Sequence, residues 1–125
     1  MSTVFTEGLR PGEVLLTEAN GQISREVGVI ASGSGILAPG TVLGKNSTSG
    51  KYAPSPATGT DGTQTAVAVA LYGCDATSAD QKITIIARDA EVKADYLVHH
   101  TSVNDAPKRA AKATQLAAVG IIVRA

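Results

Sequence analysis

The chain has 125 residues, 43% of them apolar, which is enough for one domain with a single core if the whole chain is compact. Eleven lysines and arginines balance eleven aspartates and glutamates, so no basic stripe is on offer to nucleic-acid phosphates. One phenylalanine, three tyrosines and no tryptophan make a base-stacking platform improbable, and a lone cysteine, Cys74, excludes an internal disulfide and a paired-cysteine metal clip.

The first residues, Met1 to Glu7, have neither a basic nor an apolar leader region. No run approaches the ~18 apolar residues of a membrane span, so neither an exported form nor a membrane partner is expected. Residues 1–12 close at Arg10-Pro11-Gly12 and read as an extended tail. Residues 13–17 and 23–30 then flank Asn20-Gly21. That pair predicts a hairpin, because both central residues of a type I′ turn need positive φ. Ile23, Arg25, Val27 and Val29 would share one face of the return strand, with Arg25 breaking its apolar character. A lone hairpin is marginal in water, so this segment must dock on the domain or wait for a partner. Residues 31–35, Ala-Ser-Gly-Ser-Gly, read as a flexible linker and set the domain boundary.

Pro39-Gly40 predicts a turn and Thr41-Val42-Leu43 a short strand. A polar loop over 45–50 leads to a partner strand at Lys51-Tyr52-Ala53, after which Pro54, Pro56 and Gly59 force an irregular crossing. Residues 66–73 are apolar on both alternating faces, with Val67, Val69 and Leu71 on one and Ala66, Ala68 and Ala70 on the other. Such a run predicts a central strand buried on both sides. Residues 82–88 alternate as another strand, Asp89 marks a kink, and residues 90–94 continue briefly. Residues 95–100 are ambiguous between strand and helix. A helix is predicted from an Asn104 or Asp105 cap, with Pro107 in its first turn and Gly120 at its end. Its apolar stripe would be Ala106, Ala110, Ala113, Leu116 and Ala117, leaving Lys108, Arg109 and Lys112 on a solvated face. Ile121-Ile122-Val123 predicts a final strand.

Reactive chemistry is sparse. Cys74 with His99 or His100 could form a thiol–imidazole pair, but no nucleophile motif surrounds either, and Cys74 reads as a small packed hydrophobe. His99 and His100 are neighbours and would point oppositely on a strand, so they do not make a two-ligand metal site. Asp75, Asp80, Asp89, Glu91 and Asp95 show no acid–base spacing, and Gly33-Ser34-Gly35 lacks the lysine and helix of a phosphate loop. No catalytic, cofactor-binding or metal-binding residue is assigned, and an enzyme is not expected.

An ordered set of pieces carries a resemblance. Ser24-Arg25-Glu26, Leu37-Ala38-Pro39-Gly40-Thr41-Val42-Leu43-Gly44, Lys51-Tyr52, Thr60-Asp61-Gly62-Thr63, the alanine–valine strand and Ala90-Glu91-Val92 occur in one order. From about residue 20 onward the chain resembles the tailed-phage head decoration proteins of the lambda type. The resemblance implies a homotrimer seated at three-fold positions on the outer surface of the mature phage head. There it would stabilise the shell by clamping adjacent copies of the major capsid protein, after assembly in the host cytoplasm.

The expected architecture is mainly β (α+β): a small barrel-like domain over 36–125 with one C-terminal helix and a final short strand. It is preceded by an extended N-terminal arm over 1–31. The arm residues expected to contact the capsid are Val14, Leu15, Leu16, Ile23, Ser24, Arg25, Glu26 and Val27. No cofactor, nucleic acid or membrane is expected. The alternative is a stand-alone β-rich module binding a glycan or host surface, although four aromatics hardly line a sugar groove.

Overall fold

The computed structural model describes residues 14–18 and 24–124. In chain order the strands are β1 (Leu15–Glu18), β2 (Arg25–Ile30), β3 (Gly35–Leu37), β4 (Val42–Lys45), β5 (Tyr52–Pro54) and β6 (Ala66–Ala70). They continue with β7 (Cys74–Ala76), β8 (Gln81–Ile86) and β9 (Ala90–Lys93). A 3-10 turn at Ala94–Tyr96, the helix α1 (Ala106–Ala117) and β10 (Ile121–Arg124) complete the chain. The predicted class is thus the observed one: mainly β, with a closed barrel, one C-terminal helix and a last short strand.

Strands β2-β5-β4-β6-β8 close the barrel, which leaves it without a free edge. Its pairings are antiparallel except where Ile30 meets Tyr52 in parallel to shut the ring. A second sheet, ordered β1-β9-β10, and a two-stranded ribbon of β3 and β7 lie outside it.

Strand β6 separates two apolar clusters. Ala68 and Ala70 join Ile30, Leu43, Tyr52, Ile83 and Ile85 in one. Val69 and Leu71 join Ile86, Val92, Leu116 and Ile121 in the other, which includes residues of the helix and the second sheet. The predicted split of small and branched residues therefore holds for residues 68–71. Ala66 and Val67 are exchanged, because the β4 register shifts between Leu43 and Gly44 and reverses the alternation. A five-stranded barrel has a narrow interior, and small residues make it fillable. A Cβ at Gly28 would sit 2.9 Å from Ile85 Cδ1 and 3.0 Å from Tyr52 Cδ2. At the bulge, a Cβ on Gly44 would overlap the carbonyl of Thr63.

Three expectations are corrected. Residues on either side of Asn20-Gly21 do not pair as a hairpin: β1 pairs with β9, while β2 pairs with β8 over six positions. Barrel closure wins because it buries Gly28 and Ile30, which a lone hairpin would leave half wet. Residues 31–35 are not a free linker. Gly33 N–H donates to Ala76 O, Ser32 N–H donates to Asp80, and Gly33 and Gly35 adopt φ of 89° and 82°. These glycines serve a turn that L-residues with side chains avoid. Residues 24–35 accordingly belong to the barrel and ribbon.

The third correction concerns α1. Its ends match expectation: Asp105 caps the Lys108 amide at 3.0 Å, Pro107 lies in the first turn, and Gly120 follows at φ 84°. Its buried face does not match. Ala106, Ala110 and Ala117 are exposed, and the buried residues are Leu116 and Lys112, the latter 2% exposed. Lys112 Nζ donates to Ser55 Oγ (2.9 Å), Pro56 O (2.6 Å) and Gln64 O (2.6 Å), which matches the three N–H bonds of an ammonium group. Ser55 Oγ in turn donates to Thr63 O, and Gln115 Oε1 accepts from Ala66 N–H. The crossing over 55–65 carries carbonyls with no strand partner, and the lysine satisfies them. Burial pushes the Lys112 pKa down.

Lys112→Met should therefore lower stability by about 2–4 kcal/mol, since it removes the donor from one buried and two part-buried acceptors. Urea unfolding would show this as a lower midpoint with an unchanged slope; a loss under about 0.5 kcal/mol would contradict the clamp. Gly44→Ala should cost at least about 2 kcal/mol through backbone overlap. A thermal midpoint within a degree of the parent would refute the close approach at Thr63.

Candidate functional site

Of the arm candidates, the structure places Leu15 and Leu16 on β1 of the second sheet and Arg25, Glu26 and Val27 on β2 of the barrel, with Val14 and Ser24 just ahead of those strands. Val14 is buried in the second cluster, and its carbonyl accepts from Lys93 N–H at 2.8 Å. Leu15 packs partly against the same cluster, and Leu16 is 41% exposed on β1. Strand β1 lies at the end of its sheet, so among the described residues its outer edge is unpaired. Ile23 lies outside the described residues. Ser24 is buried, with Oγ donating to Asp89 O at 2.8 Å and its carbonyl accepting from Ala87 N–H.

Arg25, Glu26 and Val27 stand together on the barrel wall. Arg25 grips Glu18 through Nε (2.9 Å) and Nη2 (2.7 Å), which ties the end of β1 to the start of β2. That hydrogen-bonded guanidinium holds the Glu18 carboxyl below its usual range and raises Arg25 in return. Both side chains are partly exposed, so solvent screens the pair and its value is orientation more than stability. Glu26 accepts from Arg88 Nη2 at 2.7 Å, across from β8. Val27 is 67% exposed opposite Thr84, and with Arg25, Glu26 and Thr84 it lines a shallow groove of about 300 Å³. Tyr72 is a further exposed side chain with a large apolar body. Glu18, Thr84 and Arg88 were not singled out in the sequence, because only the β2–β8 register brings the last two beside β2.

Several other titratable groups are engaged in local structure. Asp61 and Asp75 each accept from the amide and hydroxyl of the threonine two residues on, which holds both carboxyls below their usual range. Burial, with the charge of Asp75 beside it, pushes the Cys74 thiol up, the opposite of what an activated nucleophile needs. His99 Nδ1 is buried without a hydrogen bond among the described residues. Burial pushes its pKa down, and the charges of Arg109 and Lys112 add to that. His100 Nδ1 accepts from Ser102 N–H at 3.1 Å and lies 2.8 Å from Ser102 Oγ. An open polar hollow of about 530 Å³ beside both histidines includes Asp95, Asn104 and Arg109. Among the described residues no group of three His, Cys, Asp or Glu is placed to hold a metal ion. Among them, too, no helix is long and apolar enough to cross a membrane.

What this arrangement offers is surface: an edge strand, a barrel wall bearing two ion pairs, and isolated exposed apolar side chains. No curated protein matches the chain significantly. The family model of the bacteriophage lambda head decoration protein D matches residues 4–121, from ahead of β1 to the first residue of β10. A match of that extent shows that the chain belongs to the bacteriophage lambda head decoration protein D family, structural proteins of the phage head.

Proposed function

We propose that this chain binds the outer surface of the mature head at its three-fold positions as a homotrimer, and stabilises the shell by clamping adjacent major capsid proteins. The observation that carries the reading is the family match over 4–121. The capsid-contacting part is the N-terminal stretch, residues 1–31. Within it, the exposed Leu16, Glu26 and Val27 meet the capsid, while Val14, Leu15 and Ser24 seat the stretch on the domain. The outer edge of β1 suits addition of a capsid strand, whose main-chain hydrogen bonds supply affinity without a deep pocket.

Magnitudes favour a multivalent attachment. Full burial of a leucine or valine side chain contributes roughly 1.5–3 kcal/mol. Ordering a segment costs about 1–2 kcal/mol per residue, so one chain alone would hold weakly. Three linked copies whose sites match those of the expanded shell gain about 10²–10⁴ in avidity without a new contact. Assembly takes place in the host cytoplasm, and the mature location is the outside of the virion head.

Full-length chain added to expanded heads that lack decoration protein should bind saturably, in multiples of three per site, and raise the temperature at which the heads release DNA. The double substitution Leu16→Asp, Val27→Asp should weaken that binding at least tenfold, about 1.4 kcal/mol. Heads that take up no chain would overturn the function. Undiminished binding of the variant would remove these side chains from the contact.

A further inference from the structure

The most exposed large apolar side chain among those described is Ile36, 80% open to solvent on β3. It sits directly across the ribbon from Asp75, and facing residues of an antiparallel pair share one side. Asp75 makes no ion pair among the described residues. The ribbon therefore presents an apolar knob beside an unneutralised carboxylate.

A complementary feature lies nearby. A groove of about 210 Å³ between α1 and the segment after β9 is walled by Leu97, Ala110, Ala113 and Val123, with Arg109 at its rim. An apolar cavity of about 150 Å³ is enough for a benzene molecule, so the space admits a branched aliphatic side chain. The small alanines of α1 leave this room, which explains why an alanine-rich helix face points outward. Arg109 makes no side-chain hydrogen bond or ion pair among the described residues. The knob and the groove are neighbours on the molecule: Ile36 flanks a second hollow whose wall, His99, is shared with the groove.

We propose that the Ile36–Asp75 ribbon of one copy docks into the Leu97–Ala110–Ala113 groove of a second copy, with Asp75 meeting Arg109 across the contact. This assignment rests on the homotrimer reading and specifies its interface. The occupant follows from complementarity: an apolar knob with a lone negative charge matches an apolar socket with a lone positive charge, both on the same chain. Such a contact is head-to-tail, with different patches on the two partners, as a three-membered ring requires.

The test is the mass of the full-length protein in solution by light scattering across a concentration series. The parent should be a trimer. Ile36→Asp should dissociate it, shifting the midpoint of assembly at least tenfold higher in concentration. Asp75→Lys and Arg109→Glu should each weaken assembly, and the double charge swap should restore it. Ile36 and Arg109 are exposed, so circular dichroism should show each variant folded. A parent trimer that all these variants leave intact would overturn this interface while the homotrimer stands. A parent that stays monomeric at every concentration would overturn this interface as a contact that forms without the head; the homotrimer reading is overturned separately, by decorated heads whose three-fold positions do not carry three copies.

Discussion

Strand β6 has no wet face, and that constraint organises the molecule. An apolar run buried on both sides demands a layer on each, and the two layers are built from different parts of the chain. The barrel interior supplies one, through Ile30, Leu43, Tyr52 and Ile85. The helix and second sheet supply the other, through Leu116, Val92 and Ile121. The connection into β6 runs outside any ladder after Pro54, with Pro56 and Gly59 within it. Its carbonyls are instead met by Lys112 and its first strand amide by Gln115, both on the helix that covers the strand. The helix therefore contributes apolar burial and polar satisfaction from adjacent turns of one face.

This division bears on function. A closed barrel offers a capsid no edge, whereas the second sheet does, at β1. The described chain following β1 is anchored by the Arg25–Glu18 grip, which fixes where that edge lies relative to the barrel wall bearing Glu26 and Val27. A shell-stabilising protein needs rigid placement of weak contacts more than any one strong contact, because avidity multiplies only what geometry lets bind together.

Much of the architecture was legible in the sequence where local chemistry decides it. The Asp105 cap, Pro107 and Gly120 bound α1 through interactions within a few residues, and the alanine–valine alternation marked β6 by its composition. What escaped is non-local. Asn20-Gly21 is a strong turn signal, but the strands beside it find β9 and β8, about fifty to eighty residues away in the chain. Gly33 and Gly35 look like linker residues until Ala76 and Asp80 arrive to bond the turn. Lys112 reads as solvated because its acceptors come from residues 55–64, and no periodicity on the helix reveals them. For the candidate surface, Ser24, Arg25 and Glu26 were readable as a motif resembling the family, while the partners Glu18 and Arg88 emerge from the fold.

On the function proposed above, this chain is a passive clamp whose β1 edge and barrel wall meet the capsid. The most direct measurement is a density map of expanded heads decorated with the full-length protein. Three copies are expected around each three-fold position, with β1 and Val27 turned toward the shell. Density elsewhere on the lattice, or copies seated with β1 and Val27 facing outward, would contradict it.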